Sequence, residues 1–469
     1  MSAESESGQV NVGGAADQLW AGGQALDRAI HEFTVDEDPV LDPVLMPWDV
    51  IGSAAHVRML EHSGLLATAD AGRLLDALRE LHREAREGSL RIRPEQEDGH
   101  TALEQALSDR VGNAGRRVHL GRSRNDQVIL ALRLYLRDAL LHLGGDVADM
   151  ASAFVEFGER HDGMVMPGYT HMRRAMPSSV SQWSLAFAEG LIEELEALES
   201  VWARLDRCPL GAAAGFGVPL PIDREHTAEL LGFTRVQRNP IDVISSRGRH
   251  ELALLQWLAS VGGVLEKYLW DLAVFSTGEY GIVDLPEAFT TGSSIMPQKR
   301  NPDVVELARA RCRELRGLAG QLEQLAGGLP SSYHRDSQLM KAPVLRAVQR
   351  ARGLFAVLKR LIPAVVMHPE RLQAACSDEL YAAHEASRRA SEGLPFRDAY
   401  AQVGAEIRNG SFKPDRDQLS TAVDQNGRAP ACWSEITAAG HWLEARRVQT
   451  DRCLEGLWTS PEDEHSAGV

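Results

Sequence analysis

Apolar residues along the chain recur at steps of three and four, the spacing of a helix that buries one face. Between Ser178 and Leu205 they fall at Phe187, Leu191, Leu195, Leu198, Trp202 and Leu205. Pro177 followed by Ser178 and Ser179 reads as a helix start, with serine available to cap free N–H groups. The same spacing predicts helices over Gln127–Glu159, Arg249–Ser276, Val304–Leu325 and Leu345–Leu361. Several of these are well beyond the mean globular helix of about 11–12 residues. Helices of that length need partners of similar length, which predicts an all-α protein built on an elongated helical bundle. Alternating runs with hairpin turns are scarce, and nothing repeats at the ~33–47-residue period of a helical solenoid.

Composition narrows the class. At roughly 150 residues per domain, 469 residues imply about three structural units and a core large enough to need no disulfide or metal. The five cysteines are odd in number, widely spaced and without CxxC pairing, which argues against a disulfide scaffold, a zinc ribbon and an oxidising compartment. No run approaches the ~18–20 apolar residues of a membrane span. The opening MSAESESGQVNVGGAA lacks the basic and apolar regions of a signal peptide, so a cytoplasmic protein is expected. A net charge of −16 disfavours nucleic acid and anionic membranes as partners. The pairs Arg173-Arg174 and Lys299-Arg300 are too sparse for a nucleic-acid patch. Leu210–Pro219 holds three glycines outside the G-x-G-x-x-G order and after no strand, which rejects a dinucleotide fingerprint. The closing SPEDEHSAGV reads as a solvated tail.

Five irregular stretches interrupt the helices: His119–Gln127, Met166–Pro177, Leu210–Arg224, Phe289–Asp303 and Gly328–Lys341. They are rich in Gly, Pro, Ser, amides and cations, and loops on a rigid scaffold are where chemistry concentrates. Phe289–Asp303 says most. Gly292-Ser293-Ser294 permits a tight backbone, Pro297 prevents helix, and Lys299 and Asn301 precede Pro302, a favoured first helical residue. The helix that follows points its free N–H groups back at the loop, so amides, a lysine and a helix dipole converge on an anion site. A surface linker with an incidental lysine explains any one of these features but not all of them together.

The string GSSIMPQKRNPD in this loop resembles the signature of the fumarase/aspartase superfamily, and Gln298 with Asp303 looks most like its argininosuccinate lyase branch. HLGRSRNDQ (His119–Gln127), PGYTH (Pro167–His171) and GLPSSYHRDSQLMK (Gly328–Lys341) are similar to other stretches of that branch. So are EDGHTALE (Glu97–Glu104), DVIGSAAH (Asp49–His56) and LPFRDAY (Leu394–Tyr400). The resemblance implies a lyase that breaks a C–N bond β to a carboxylate and releases fumarate, without cofactor or metal. Removal of a carbon-bound proton leaves a dianionic aci-carboxylate, which needs fixed positive charge and donors aimed at it.

On that resemblance Ser293 is the base, and Lys299, Asn301, Asn125 and Thr170 stabilise the developing charge. Arg124 and Ser123 hold the other carboxylate, for which a planar guanidinium suits bidentate pairing. His171 passes the proton towards the leaving nitrogen and pairs with Glu306, which is equally explained as a helix-start cap. Tyr333, Gln338 and Lys341 fall where the branch binds its amino-acid half, and Asp98 and His100 also match. His100 and Glu104 lie one helical turn apart and read as a structural pair rather than metal ligands, since no third ligand is evident.

Departures bear on the leaving amine. Leu120 replaces the usual threonine, Arg173 and Met176 replace glutamines, and Arg249-His250 replaces Arg-Asp. Asp36 stands where many members use a serine, and Gly440-His441-Trp442 replaces Gly-Gly-Thr. Argininosuccinate is therefore the leading substrate, with another N-substituted aspartate as the alternative. Adenylosuccinate lyase or fumarase activity is disfavoured by Gln298 and GRSRND, and a non-catalytic crystallin-like role by the retained Ser293, His171, Lys299 and Asn301. The resemblance further implies a three-part fold divided near Gly121 and Glu370, that is 1–121, 122–370 and 371–469. It also implies a homotetramer whose sites collect loops from three subunits, and the Gly and Ser residues around Ser293 suggest a mobile lid. The acid lies along helices such as Glu189–Glu199, while Arg124, Lys299 and Lys341 sit in loops, so an acidic chain can still bind a polycarboxylate.

Overall fold

The computed structural model describes residues 28–93, 96, 98–417 and 429–459. The opening segment, the tail from Ser460 and Glu97 of the EDGHTALE string lie outside the described residues. The chain begins with α1 (Arg28–Val35), α2 (Asp38–His62), α3 (Thr68–Glu87) and α4 (Gly99–Val111). α2, α3 and α4 share a core that includes Val50, Val57, Leu60, Leu74, Leu78, Leu81 and Leu103. Next come α5 (Arg124–Arg160), the hairpin β1 (Val165–Thr170) and β2 (Arg173–Ser179), and α6 (Val180–Leu205). The short α7 (Arg224–Leu230) and α8 (Pro240–Ser245) lead into α9 (Arg249–Phe275). β3 (Val283–Asp284), β4 (Thr291–Gly292) and β5 (Arg300–Asn301) precede α10 (Asp303–Ala326) and α11 (Lys341–Ala364). β6 (Val366–Met367), α12 (Pro369–Ala375), α13 (Ala382–Ser391), α14 (Phe396–Arg408) and α15 (Ala429–Gly456) complete the described chain.

Five long helices close a ring of neighbours, α5 on α6, α6 on α9, α9 on α10, α10 on α11 and α11 back on α5. Their shared interior includes Leu140, Val147 and Phe154 of α5, Leu191 and Leu195 of α6, Leu265 of α9, Leu315 of α10 and Phe355 of α11. Each such side chain stabilises the fold by roughly 1.5–3 kcal/mol through burial, so the bundle is the rigid part of the molecule. Gly262 lets α9 approach α10 closely, since a Cβ there would lie 3.3 Å from the Cys312 carbonyl oxygen. α13 and α14 form a small cluster around Ala386, Ala399, Val403 and Phe412. α15 instead returns to α5 and α6, where Trp442 meets Trp202 edge-on with centroids 6.1 Å apart. The divergent Gly440-His441-Trp442 stretch thus has a packing role. Among the described residues no helix is long and apolar enough to cross a membrane.

Several boundaries differ from the expected ones, each for a local reason. α5 begins at Arg124 because Ser123 caps it, its Oγ accepting from the Asn125 N–H at 3.2 Å while its own N–H donates to Asp126 at 3.1 Å. α6 begins at Val180, with the Ser179 Oγ accepting from the Gln182 N–H at 2.9 Å. α10 begins at Asp303, and Pro302 is the residue before it rather than its first. α11 begins at Lys341, four residues before the expected Leu345. Met166–Pro177 is a correction: the expected irregular stretch is mostly an antiparallel hairpin pairing Val165 with Ser179 and Thr170 with Arg173. Its proline-rich sequence hides the alternation, and a register shift at Gly168 accommodates a Met176 carbonyl that would lie 3.1 Å from a Cβ. The tip residues His171 and Met172 both take left-handed backbone, φ 52° and 59°, the geometry of a tight two-residue hairpin turn usually made with Asn or Gly.

Candidate active site

One cavity of about 570 Å³ lies where α1, α2, the start of α4, the start of α5 and the 333–341 segment converge. Asp38 and Asp42 on α2 line it and Asp49 backs it, residues spaced to form one stripe of that helix. Asp42 accepts from the Gly99 N–H at 2.9 Å, which ties α4 to α2. Lys341 donates through Nζ to Asp38 at 2.8 Å and to Asp42. Burial disfavours the Lys341 charge, but the Asp42 and Asp38 carboxylates outweigh it and hold the ammonium pKa above its ordinary value. Asp38 in turn titrates above the usual carboxylate range, chiefly because it is buried and despite the Lys341 charge.

Asp98 caps α4 by accepting from the Thr101 N–H and hydroxyl, each at 2.8 Å. Its second oxygen accepts from Arg124 Nη1 at 3.0 Å, and Arg124 Nη2 donates to Thr101 Oγ1 at 3.1 Å. The guanidinium is thereby aimed along the cavity wall from the first turn of α5, with Asn125 beside it. His100 also lines the cavity, and its Nδ1 lies 2.8 Å from Asp49 Oδ2. Although burial opposes it, Asp49, with Asp98 and Asp42, raises the His100 pKa above 6.5 and so favours imidazolium. The expected His100–Glu104 pair is therefore corrected: Glu104 faces His119 at 3.4 Å, and both histidines take partners from other segments. Gln338 donates to the Thr34 carbonyl at 2.9 Å and the Val35 carbonyl at 3.3 Å, clasping the end of α1, and Tyr333 stands on the facing wall under Arg247.

Asp98, Arg124, Asn125, Tyr333, Gln338 and Lys341 thus share one cavity. The other candidates do not line it within one chain. Ser123 has its hydroxyl occupied as the α5 cap. Thr170 and His171 sit at the exposed hairpin tip. Ser293, Lys299, Asn301 and Glu306 belong to the 291–306 segment, where the β4–β5 pair, Thr291 with Asn301 and Gly292 with Arg300, folds the loop back to the α10 N-terminus. There Ser293 Oγ accepts from the N–H groups of Met296 at 3.1 Å and Ile295 at 3.3 Å, donors that favour an oxygen bearing negative charge. Lys299 and Glu306 are exposed, and the expected His171–Glu306 pair does not form within the chain among the described residues. No three His, Cys, Asp or Glu side chains among the described residues are placed to share a metal ion.

A protein family described as Lyase matches residues 11–317. Argininosuccinate lyase of Sorangium cellulosum (strain So ce56) is 45% identical over 390 residues, covering 83% of this chain and 90% of that one. The chain belongs to the argininosuccinate lyase family. The argininosuccinate lyase of Stenotrophomonas maltophilia (strain K279a) is 41% identical over 426 residues, covering 90% of this chain and 98% of its own length. A crystal structure of EDDS lyase in complex with formate shares the fold, with a TM-score of 0.75 at 23% identity over 92% of this chain and 95% of that one. The all-α, fumarase-like architecture built on a long-helix bundle is thus the fold of this argininosuccinate lyase family member, a carbon–nitrogen lyase.

Sequence reasoning missed part of the site. Asp38, Asp42, Thr34 and Arg247 line the cavity, and none was singled out for it. The three aspartates were detectable as one acidic stripe in the otherwise apolar DPVLDPVLMPWDV, but Arg247 was not, since only the fold brings residue 247 next to residue 333. Arg247 donates to the Ser337 carbonyl at 3.1 Å and so braces the Tyr333–Gln338 segment. Of the departures from the argininosuccinate lyase pattern, Leu120 does not line the cavity, and its carbonyl meets His56 Nε2 at 2.9 Å. Asp36 does not line the cavity either; it turns the chain between α1 and α2 with φ 49°.

Proposed function

We propose that the protein converts argininosuccinate to arginine and fumarate by β-elimination, as a cytoplasmic homotetramer. The observation that carries this reading is the gathering of Arg124, Asn125, Tyr333, Gln338 and Lys341 with Asp38 and Asp98 around one cavity. Groups of both signs with two amides suit an amino-acid end that carries an ammonium and a carboxylate. The succinyl end meets the Ser293 loop. Ser293 removes the proton from the carbon next to one carboxylate, and the resulting dianion is stabilised by Lys299, Asn301, Asn125, Thr170 and amides at the α10 start. The C–N bond on the adjacent carbon then breaks, its electron pair stays with the guanidino nitrogen, and His171, oriented by Glu306, returns a proton there. Arg124 and Ser123 steer the second carboxylate.

The hairpin and the Ser293 loop lie off the cavity of their own chain, so each site in this proposal takes its hairpin and its loop from neighbouring subunits. The division at 1–121, 122–370 and 371–469 belongs to the same reading, with the middle unit as the assembly core. The test is an ultraviolet assay for fumarate with argininosuccinate and a panel of other N-succinyl amines. Fumarate from argininosuccinate supports the reading. Fumarate only from another member of the panel replaces the leaving amine, and none from any substrate refutes the reaction.

A further inference from the structure

Argininosuccinate carries three carboxylates, and the mechanism above gives places to the two on its succinyl end. The third stands beside an ammonium on the amino-acid end. Most cations lining the cavity are already engaged: Arg124 by Asp98 at 3.0 Å, His100 by Asp49 at 2.8 Å, and Lys341 by Asp38 and Asp42. Arg335 is exposed and donates to the Thr34 carbonyl at 2.9 Å. Among the described residues the remaining cation on the cavity wall is Arg247, which is half-buried and forms no ion pair. Burial disfavours its charge, which the more distant Glu251 and Asp38 offset only in part. Its place is set by the backbone. Gly248 takes a left-handed φ of 85° between α8 and α9, and a Cβ there would lie 2.6 Å from Ala326 Cβ. That close approach to the end of α10 holds the preceding arginine at the cavity, its guanidinium 6.0 Å from the centre of the Tyr333 ring. Nη2 donates to the Ser337 carbonyl at 3.1 Å, which leaves other donors of the planar fork for a ligand.

We infer that Arg247 is a specificity-determining residue whose guanidinium receives the carboxylate of the amino-acid half, beside an ammonium held at Asp38. The inference rests on the argininosuccinate reading and adds to it the rule by which the site selects its leaving amine. Arg247 and Asp38 line one cavity, close enough for each charge to be felt by the other, and so offer the two poles that a carboxylate and an ammonium on one carbon require. An amine without that carboxylate leaves a half-buried guanidinium uncompensated and binds less well. The same residue braces the Tyr333–Gln338 segment, so loss of the bracing and loss of the selection have to be read apart.

The test compares kcat/KM for fumarate release from argininosuccinate and from its α-carboxamide, a neutral isostere at the amino-acid end. It uses the full chain as wild type, Arg247→Gln and Arg247→Lys. Glutamine keeps a donor for the Ser337 carbonyl and removes the charge, whereas lysine keeps the charge and removes the planar fork. Wild type is expected to prefer the acid by roughly 10–100-fold, the discrimination a hydrogen bond to a charged group commonly gives. Arg247→Gln should reduce that preference to within about threefold, with Arg247→Lys between the two. A bracing role alone would lower both substrates together and leave the ratio of wild type. A wild-type ratio retained in Arg247→Gln, or a wild type that turns over acid and amide alike, overturns this inference alone. If Arg247→Gln is unfolded by circular dichroism, the wild-type and Arg247→Lys ratios decide. No fumarate from either substrate in wild type overturns the argininosuccinate reading and this inference with it.

Discussion

Replacing Lys341 by methionine keeps the length of the side chain and removes its charge. In the folded chain the ammonium is held between Asp38 and Asp42, and the side chains of Lys341 and Asp42 are only 5% and 6% exposed. Lys341 is also the first residue of α11, where the helix dipole disfavours a cation, so the two carboxylates are what make the position tenable. Breaking a buried ion pair from one side typically costs about 3–5 kcal/mol, because the remaining charge is left uncompensated. Asp42 retains the Gly99 N–H in the variant, which places the expected loss near the lower end, about 3 kcal/mol. Asp38, already raised in the folded chain by its burial, would lose the lowering influence of Lys341 and titrate higher still. A raised folded pKa means that the native state binds more protons, so the variant should regain stability as the pH falls through that value. Urea unfolding followed by circular dichroism at pH 7 and pH 5 measures both effects, and adding Asp38→Asn should restore part of the loss at pH 7. A Lys341→Met variant within about 0.5 kcal/mol of wild type, or one equally destabilised at both pH values, would refute this account of the charge cluster.

The remaining predictions concern catalysis, pH and assembly. Ser293→Ala should lower kcat by roughly 10²–10⁴ with little change in the unfolding midpoint, since its Oγ bonds only to amides of its own loop; near-normal fumarate release would remove Ser293 from the mechanism. The His100–Asp49 pair should stabilise the fold fully below the unfolded histidine value of about 6.5 and lose that contribution as pH rises through the elevated folded value of His100. Asp49, whose folded pKa is depressed by His100 against the cost of its burial, loses its contribution only as pH falls through that low value. His100→Gln should therefore flatten the alkaline fall in stability, read as urea midpoints between pH 6 and 9. Light scattering after size exclusion should give four times the 51.4 kDa chain mass, and an active species of single-chain mass would rule out shared sites.

The five long bundle helices and their order followed from the sequence because burial of one face imposes a three-to-four periodicity visible in any single chain. The non-helical course of the Ser293 loop up to the start of α10 was legible for a related reason: Gly292, Pro297 and Pro302 act on their own backbone neighbours, so their meaning is local. The hairpin was not, because Pro167, Gly168 and Pro177 suppress the alternating pattern while cross-strand hydrogen bonds, which no periodicity records, hold the strands together. Nor was the pairing of the buried charges. His100 has Glu104 one turn away in sequence, yet bonds Asp49 on another helix, because α4 is docked against α2 by Asp42 and the Gly99 amide. Sequence alone determined the long bundle helices and the family resemblance of the segments between them. Tertiary structure alone decided that Lys341 faces Asp38 and Asp42, that Arg247 stands over Tyr333, and that the Ser293 loop and the His171 tip lie off the cavity of their own chain. Those facts depend on contacts between residues far apart in sequence, and only the packing of the helices sets them.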